Sequence, residues 1–337
     1  MEFIKFPEIN QFRNVVKEVQ RTSAFVGTTF HGDEVLDYTQ PKPVIPYRGT
    51  VKLHGTNAAV VFDLINDECH IQSRKRIISW KDDNAGFAAF MEPKLAELQK
   101  TLPDLWPVEG HNVVAVFGEW CGGSIQKGVA LNQVDKMFVI FAVKHNDRWL
   151  SPSERECIDL PELGIYSNTR FATFWSTIDF NNPEEIQNQL AELTKLVEAK
   201  CPVSAFFGAN GIGEGIVWTP VEPKWNHSRF WFKVKGEKHS TSKVKTLAAV
   251  DVEKVNSIKE FVTTVVTDNR CNQGMHEITN GDPEAFTQKD IGTFIRWVFE
   301  DIVKEESDVI QASGLEKKEV GSAVAKAAKT WLFANAV

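Results

Sequence analysis

The 337-residue chain is 42% apolar and 25% charged, enough for a packed core and for two domains. Its formal charge of −7 excludes a protein coated in positive charge, and its five scattered cysteines show neither zinc nor disulfide spacing, which fits a reducing, cytoplasmic setting. No run of 18 apolar residues occurs, and Met1 to Lys5 lacks a basic stretch leading into an apolar one, so the expectation is a protein that neither spans a membrane nor is secreted.

Phe12, Val15, Val16 and Val19 recur at helical spacing and predict a short helix over 11–20. Residues 27–49, punctuated by Gly and Pro, predict a loop with one short strand. Lys52 then opens a Gly-containing turn before the alternating strand Ala59 to Leu64, whose antiparallel neighbour is expected over 69–73. A lysine held there at its backbone keeps its amine free, as a lysine nucleophile requires. The bland alternative is a solvated surface lysine beside a turn glycine. Arg74, Lys75 and Arg76 follow as three consecutive cations, on their own a solvated charge run.

Leu95 and Leu98 behind Pro93 predict a helix over 92–100. The strand Val113 to Phe117 runs into Gly118 and Glu119, placing an acid at a cleft edge where it can accept a hydrogen bond from a hydroxyl. Residues 136–143 form a near-continuous apolar strand containing Phe138 and Phe141, both of which read equally well as core. Residues 151–182 read as turns and short elements without legible chemistry. A helix over 183–199 is expected behind the cap Asn182, with Ile186, Leu190, Leu193 and Val197 on one face.

Glu214 stands between glycines at the start of a strand, where a metal or water can approach closely; otherwise it is a turn acid in solvent. Alternation puts Lys233 and Lys235 on one face, suited to stabilising phosphate charge. From Lys224 to Lys245 seven Lys or Arg face the single acid Glu237, a phosphate-friendly segment, while its aromatics Trp225, Phe230, Trp231 and Phe232 read as core before stacking platforms. Helices over 252–266, 288–305 and 317–333, separated by polar stretches at 269–282 and 307–314, then predict a helical domain from about residue 249.

The string Lys52-Leu53-His54-Gly55-Thr56-Asn57 closely resembles the nucleotide-binding motif of the covalent nucleotidyltransferases, specifically the RNA ligase 2-like branch of the ATP-dependent RNA ligases. Ile125-Gln126-Lys127, Glu214-Gly215-Ile216-Val217 and Lys233-Val234-Lys235 are similar to further motifs of that family, in the same order. The resemblance implies an α+β nucleotidyltransferase (ATP-grasp-like ligase) domain of antiparallel sheets and helices over 1–248. A small all-helical C-terminal domain would follow over 249–337. It also implies ATP and Mg²⁺ as cofactors, with Mn²⁺ as a substitute.

Carried onto this chain, Lys52 would take AMP from ATP, and His54 would act in the steps after lysine adenylylation. Asn57 would anchor the nucleotide, Arg74 would contact nucleotide and RNA end, and Glu119 would contact the ribose. Phe141, or Phe138 in its place, would stack on adenine. Glu214 would hold the metal, and Lys233 and Lys235 would face the α-phosphate. Two positions depart from the family pattern: Val51 stands where Glu often precedes the lysine, and Ala142 where Asp usually follows the aromatic ring.

The implied activity is joining of 3′-OH and 5′-phosphate RNA ends, with nicked duplex RNA as partner and a monomeric enzyme. ATP-dependent DNA ligases and mRNA guanylyltransferases share the lysine chemistry but carry a β-barrel where this chain has its helical tail. A non-catalytic nucleic-acid-binding protein would need only the basic segment.

Overall fold

The computed structural model describes residues 1–108, 110–240, 257–279 and 281–335. Two twisted sheets and their covering helices form a mixed α+β core over about 10–235, and a mostly helical region follows from Ile258 to Asn335.

The first sheet runs in the order Asn10–Gln11, β8 (Phe232–Lys235), β7 (Gly215–Pro220), β1 (Val44–Lys52) and β6 (Thr173–Asp179). The second is built on β3 (Glu68–Ser73), β2 (Thr56–Asp63), β4 (Val113–Cys121) and β5 (Met137–His145), side by side in that order. Most pairings are antiparallel as expected, but Asn10–Gln11 joins β8 in parallel and Ile165–Ser167 joins β5 in parallel.

Period-two alternation decides what each face of β1 does. Ile45, Tyr47 and Val51 enter a core with Trp218, Phe232 and Val234 of the neighbouring strands. Against that face pack α1 (Phe12–Ala24), through Phe12, Val15, Val16 and Val19, and α2 (Gln187–Ala199), through Leu190 and Val197. A fully buried Trp218 in this layer makes Trp218→Ala worth about 3–5 kcal/mol of stability. The opposite face of β1, carrying Arg48, Thr50 and Lys52, is left for the cleft. The second sheet buries Val60, Phe62, Val116, Phe138 and Ile140 against the short helices Phe87–Met91 and Leu95–Lys100.

Several expectations are corrected. Residues 27–49 hold part of a hairpin, Phe25–Thr28 with Glu34–Leu36, and most of β1. Residues 151–182 hold β6, the edge strand of the first sheet. The helix expected from residue 183 starts at Gln187, because Asn182 to Glu185 turn back through hydrogen bonds of their own. The polar stretch 269–282 is mostly helix.

The helical region comprises α3 (Ile258–Val265), α4 (Asp268–Thr279), α5 (Ile291–Ala312) and α6 (Lys317–Asn335) around Phe261, Phe294, Val298, Ile302, Val324 and Leu332. α5 runs through the expected break at 307 and is instead bent at Glu306, whose φ and ψ are −124° and 20°. The boundary expected at 248/249, the first turn of the helix expected from 252, and Lys243 and Lys245 lie outside the described residues.

The helical region is tied to the core by charge. Arg13 of α1, 1% exposed, donates to Glu306 Oε2 at 2.9 Å, to the Glu305 carbonyl at 3.0 Å and to Asp308 Oδ2 at 2.8 Å. From the other side Arg270 of α4 donates to Asp301 at 2.8 Å and lies 3.7 Å from Glu306.

Candidate active site

A cleft of about 1210 Å³ lies between the two sheets and is walled on one side by α4 and α5. Lys52, His54, Asn57, Arg74, Glu119, Phe141, Glu214, Lys233 and Lys235 all line it. Sequence positions spanning more than 180 residues are therefore gathered on one surface.

Strand register explains the centre of the site. Gly215 of β7 pairs with Lys52 of β1 on one side and with Lys235 of β8 on the other. Glu214, the residue before that glycine, is consequently held between two lysines. Lys52 Nζ lies 2.7 Å from Glu214 Oε2, Lys235 Nζ lies 3.2 Å from Oε1, and His54 Nδ1 lies 3.3 Å from Oε2. Gly215 is required here: its φ is +156°, and a Cβ would meet the Val234 carbonyl oxygen at 2.1 Å. Glu214 is 3% exposed, so burial opposes its ionisation, but Lys52, Lys235 and His54 outweigh that and hold it well below the usual carboxylate range. Burial also pulls Lys235 below the ordinary lysine value, with Glu214 opposing.

The second carboxylate behaves in the opposite way. Glu119, beside the bulge where β4 meets β5, is pushed up to about 7 by burial and by the charge of Glu214, against the pull of Lys52. Its Oε1 accepts from the Gly55 backbone N–H at 2.9 Å. That contact depends on Gly55 lying flat on β4, since a Cβ there would stand 2.3 Å from the Trp120 carbonyl oxygen. Asn57 pairs across the ladder with Glu119 itself. Gln126, from the Ile-Gln-Lys segment, donates to the Gly55 carbonyl at 3.2 Å and locks the same turn.

The two phenylalanines of β5 are now distinguished. Phe138 is fully buried on the far face of the sheet, 4.9 Å from the Phe87 ring, and so is not the ring that borders the cleft. Phe141 lines the cleft and is braced edge-on by Phe6 at 5.1 Å. The aromatics Phe230, Trp231 and Phe232 are buried, in line with a core role.

Two expected cations are held by acids from elsewhere in the chain. Arg74 donates to Glu8 at 2.7 Å, and Lys304 of α5 reaches the same carboxylate at 2.7 Å. Lys233 Nζ lies 2.8 Å from Glu305 of α5; burial opposes the charge on each, yet the pair raises Lys233 and lowers Glu305. Lys75 pairs with Glu277 of α4, and Arg76 with Asp82.

Sequence reasoning missed Glu8, Glu305, His239 and the arginines Arg48 and Arg155. His239 sits with its ring 5.4 Å from that of His54 and is lowered by burial. Only Arg48 carried a usable signal, since it lies in phase with Lys52 two alternations earlier. Among the described residues no three metal-ligating side chains cluster. The donor set at the lysine end, one firmly ionised carboxylate, fits a Mg²⁺ ion that takes its other ligands from phosphate and water rather than from the protein. No helix among the described residues is long and apolar enough to cross a membrane.

Compared with known protein families, residues 45–235 match the family described as RNA ligase. No curated protein matches. Among solved structures the chain is similar to Naegleria gruberi RNA ligase with PPi, at 16% identity and a TM-score of 0.45, covering 70% of this chain and 56% of that one. It is similar to a mutant of that ligase with ATP and Mn, at 17% identity and a TM-score of 0.46, covering 70% and 56%. An apo mutant gives 18% identity, a TM-score of 0.45 and coverage of 70% and 57%. The chain thus spans little more than half the length of these structures.

Proposed function

We propose that this chain, which belongs to the RNA ligase family, is an ATP-dependent ligase of the RNA ligase 2-like branch that seals 3′-OH and 5′-phosphate RNA ends in nicked or bridged duplexes. The observation that carries the reading is the Lys52–Gly215–Lys235 register, which sets one ionised carboxylate between a nucleophile and a second cation.

In the first step the Lys52 amine, freed of its proton, attacks the α-phosphorus of ATP; an N–P bond forms, the α–β P–O bond breaks and pyrophosphate leaves. Lys235 and Lys233 stabilise charge on the phosphate oxygens. Phe141 stacks on the base, Asn57 and Arg74 hold the nucleotide, and Glu119 accepts a hydrogen bond from the ribose. Mg²⁺, held by Glu214, would neutralise phosphate charge when bound. In the second step an oxygen of the RNA 5′-phosphate attacks the same phosphorus and releases Lys52. In the third the 3′-OH attacks the RNA phosphorus and AMP departs. His54, alongside the same carboxylate as Lys52, serves these later steps.

The test is retention of label from α-labelled ATP on denatured protein, followed by sealing of nicked duplex RNA, a nicked DNA/RNA hybrid and single-stranded RNA. A labelled adduct and preferential sealing of nicked RNA are expected. An adduct from GTP alone would make it a capping-type enzyme, and RNA binding without any adduct would reduce it to a binding protein.

A further inference from the structure

The cleft has a second cationic end that no acid among the described residues pairs with directly, Glu156 acting on Arg48 only through its charge. Lys52, Thr50 and Arg48 share the cleft face of β1, and four residues of strand put Arg48 roughly 13 Å from Lys52 at about 3.3 Å per residue. Beside Arg48 in the wall stands Arg155, from the short helix Pro152–Arg155. Arg155 is 5% exposed and makes one hydrogen bond, from Nη1 to Asn168 Oδ1 at 2.9 Å. Arg48 has a buried Nε without a partner, and its Cζ lies 5.8 Å from the centre of the Trp175 ring, its cross-strand neighbour on β6.

Among the described residues no carboxylate lies within 4.0 Å of either guanidinium, in contrast to Lys52, Arg74, Lys233 and Lys235. Burial and the neighbouring Arg48 charge bring Arg155 down to about 9. Arg155, buried beside a second positive charge, is unfavourably placed unless a ligand answers it, since Glu156 is exposed and its charge acts on the partly buried Arg48 without pairing with it.

What lies between the two ends narrows the ligand. Val217, which pairs with Thr50 across the ladder, supplies apolar surface there, and Phe141 lines the same cleft. The cleft therefore offers phosphate chemistry at Lys52, then an apolar slot, then two groups that only donate hydrogen bonds. That sequence matches an extended nucleotide seen from its phosphate to the far edge of its base. A planar guanidinium is suited to acceptors on a base edge.

We propose that Arg48 and Arg155 bind ring-nitrogen acceptors on the edge of the adenine whose phosphates lie at Lys52, and so contribute to the base preference of the pocket. The inference rests on the nucleotide reading above and adds to it two residues that the family resemblance did not assign.

The experiment measures formation of the Lys52 adduct with ATP, 1-deaza-ATP and 7-deaza-ATP by the wild type, Arg48→Ala and Arg155→Lys. The lysine variant keeps a charge at the buried position while removing the planar fork, and thermal unfolding of both variants is followed in parallel. Both variants should show a KM for ATP raised about tenfold or more, the worth of one lost base contact, with kcat for adduct formation little changed. One deaza analogue should suffer the same rise with the wild type and no additional rise with the variants. Wild-type KM in both variants would overturn the proposal. So would variants that bind nucleotide normally but lose affinity for RNA, which would give the pair to an RNA phosphate. Two deaza analogues equal to ATP in the wild type would overturn it as well. If the wild type forms no adduct with any nucleotide, the ligase reading falls and this inference with it; an adduct with unchanged KM in the variants removes this inference alone.

Discussion

Lys233 and Lys235 sit two residues apart on one strand and point into one cleft, yet they are neutralised from different regions of the molecule. Lys235 shares Glu214 with Lys52, inside the same three-stranded register of the first sheet. Lys233 is paired with Glu305, which belongs to α5 in the helical region. The first arrangement is intrinsic to the sheet and survives as long as the sheet does. The second exists only while α5 is seated, so the charge Lys233 would offer to a phosphate under the proposed function depends on α5.

The widest gap between the two should appear at the proposed nucleophile. Lys52→Ala is expected to remove the AMP adduct completely while costing about 1–3 kcal/mol of stability, because buried Glu214 loses one of its three partners and keeps Lys235 and His54; an adduct at the wild-type level would move the nucleophile elsewhere. Glu214→Ala should lower the adenylylation rate by about a hundredfold or more, because Lys52 and Lys235 then repel each other across an empty position. Rates near wild type at limiting Mg²⁺ would return Glu214 to a structural role.

His54→Ala should still form the Lys52 adduct but fail to seal pre-adenylylated nicked RNA; sealing at the wild-type rate by a folded variant would end its assignment to the later steps. On the helical side, Glu305→Gln should cost about 3 kcal/mol of stability by stranding the Lys233 ammonium in the wall. If its unfolding midpoint is unchanged, the two lysines do not differ in the way the register suggests.

The smallest effect is a pH dependence. Glu119 is raised from 4.5 to about 7 in the fold, so the unfolded chain releases that proton first and stability is lost as pH climbs from about 4.5 to about 7. Glu119→Gln removes this loss: its melting temperature relative to wild type should rise across that window and level off above it. A constant difference between pH 4.5 and 8 would show that Glu119 is not held protonated.

The sheet end was legible in the sequence because its signals are local. A lysine, a turn glycine and an alternating strand occur within a dozen residues around Lys52, and the same holds for Glu214 with Gly215 and for Lys233 with Lys235. The α+β core followed by helices was read correctly for the same reason. The helical wall was not legible in detail. α4 is rich in Asn, Arg, Gln and His and was read as a polar spacer, because its stability rests on Arg270, a fully buried charge answered by Asp301 more than 30 residues later. No periodicity announces such a pair. Glu8 and Glu305 were invisible likewise, since an acid's partner is a property of the fold, whereas β6 was missed because its seven residues alternate only loosely and Trp175 faces solvent.

The clasp of Arg13 on the bend of α5 bears on how the protein can be dissected. A fragment ending before residue 257 would keep both sheets and the lysines of the cleft except Lys304, but it would turn a buried guanidinium outward and leave α1 half undressed. Exchanging the helical region for another would meet the same obstacle unless the incoming region brought acids at the positions of Glu306 and Asp308. The helix α1 is thus the socket for the helical region, and any chimera that treats the two as interchangeable modules has to transplant α1 together with α5.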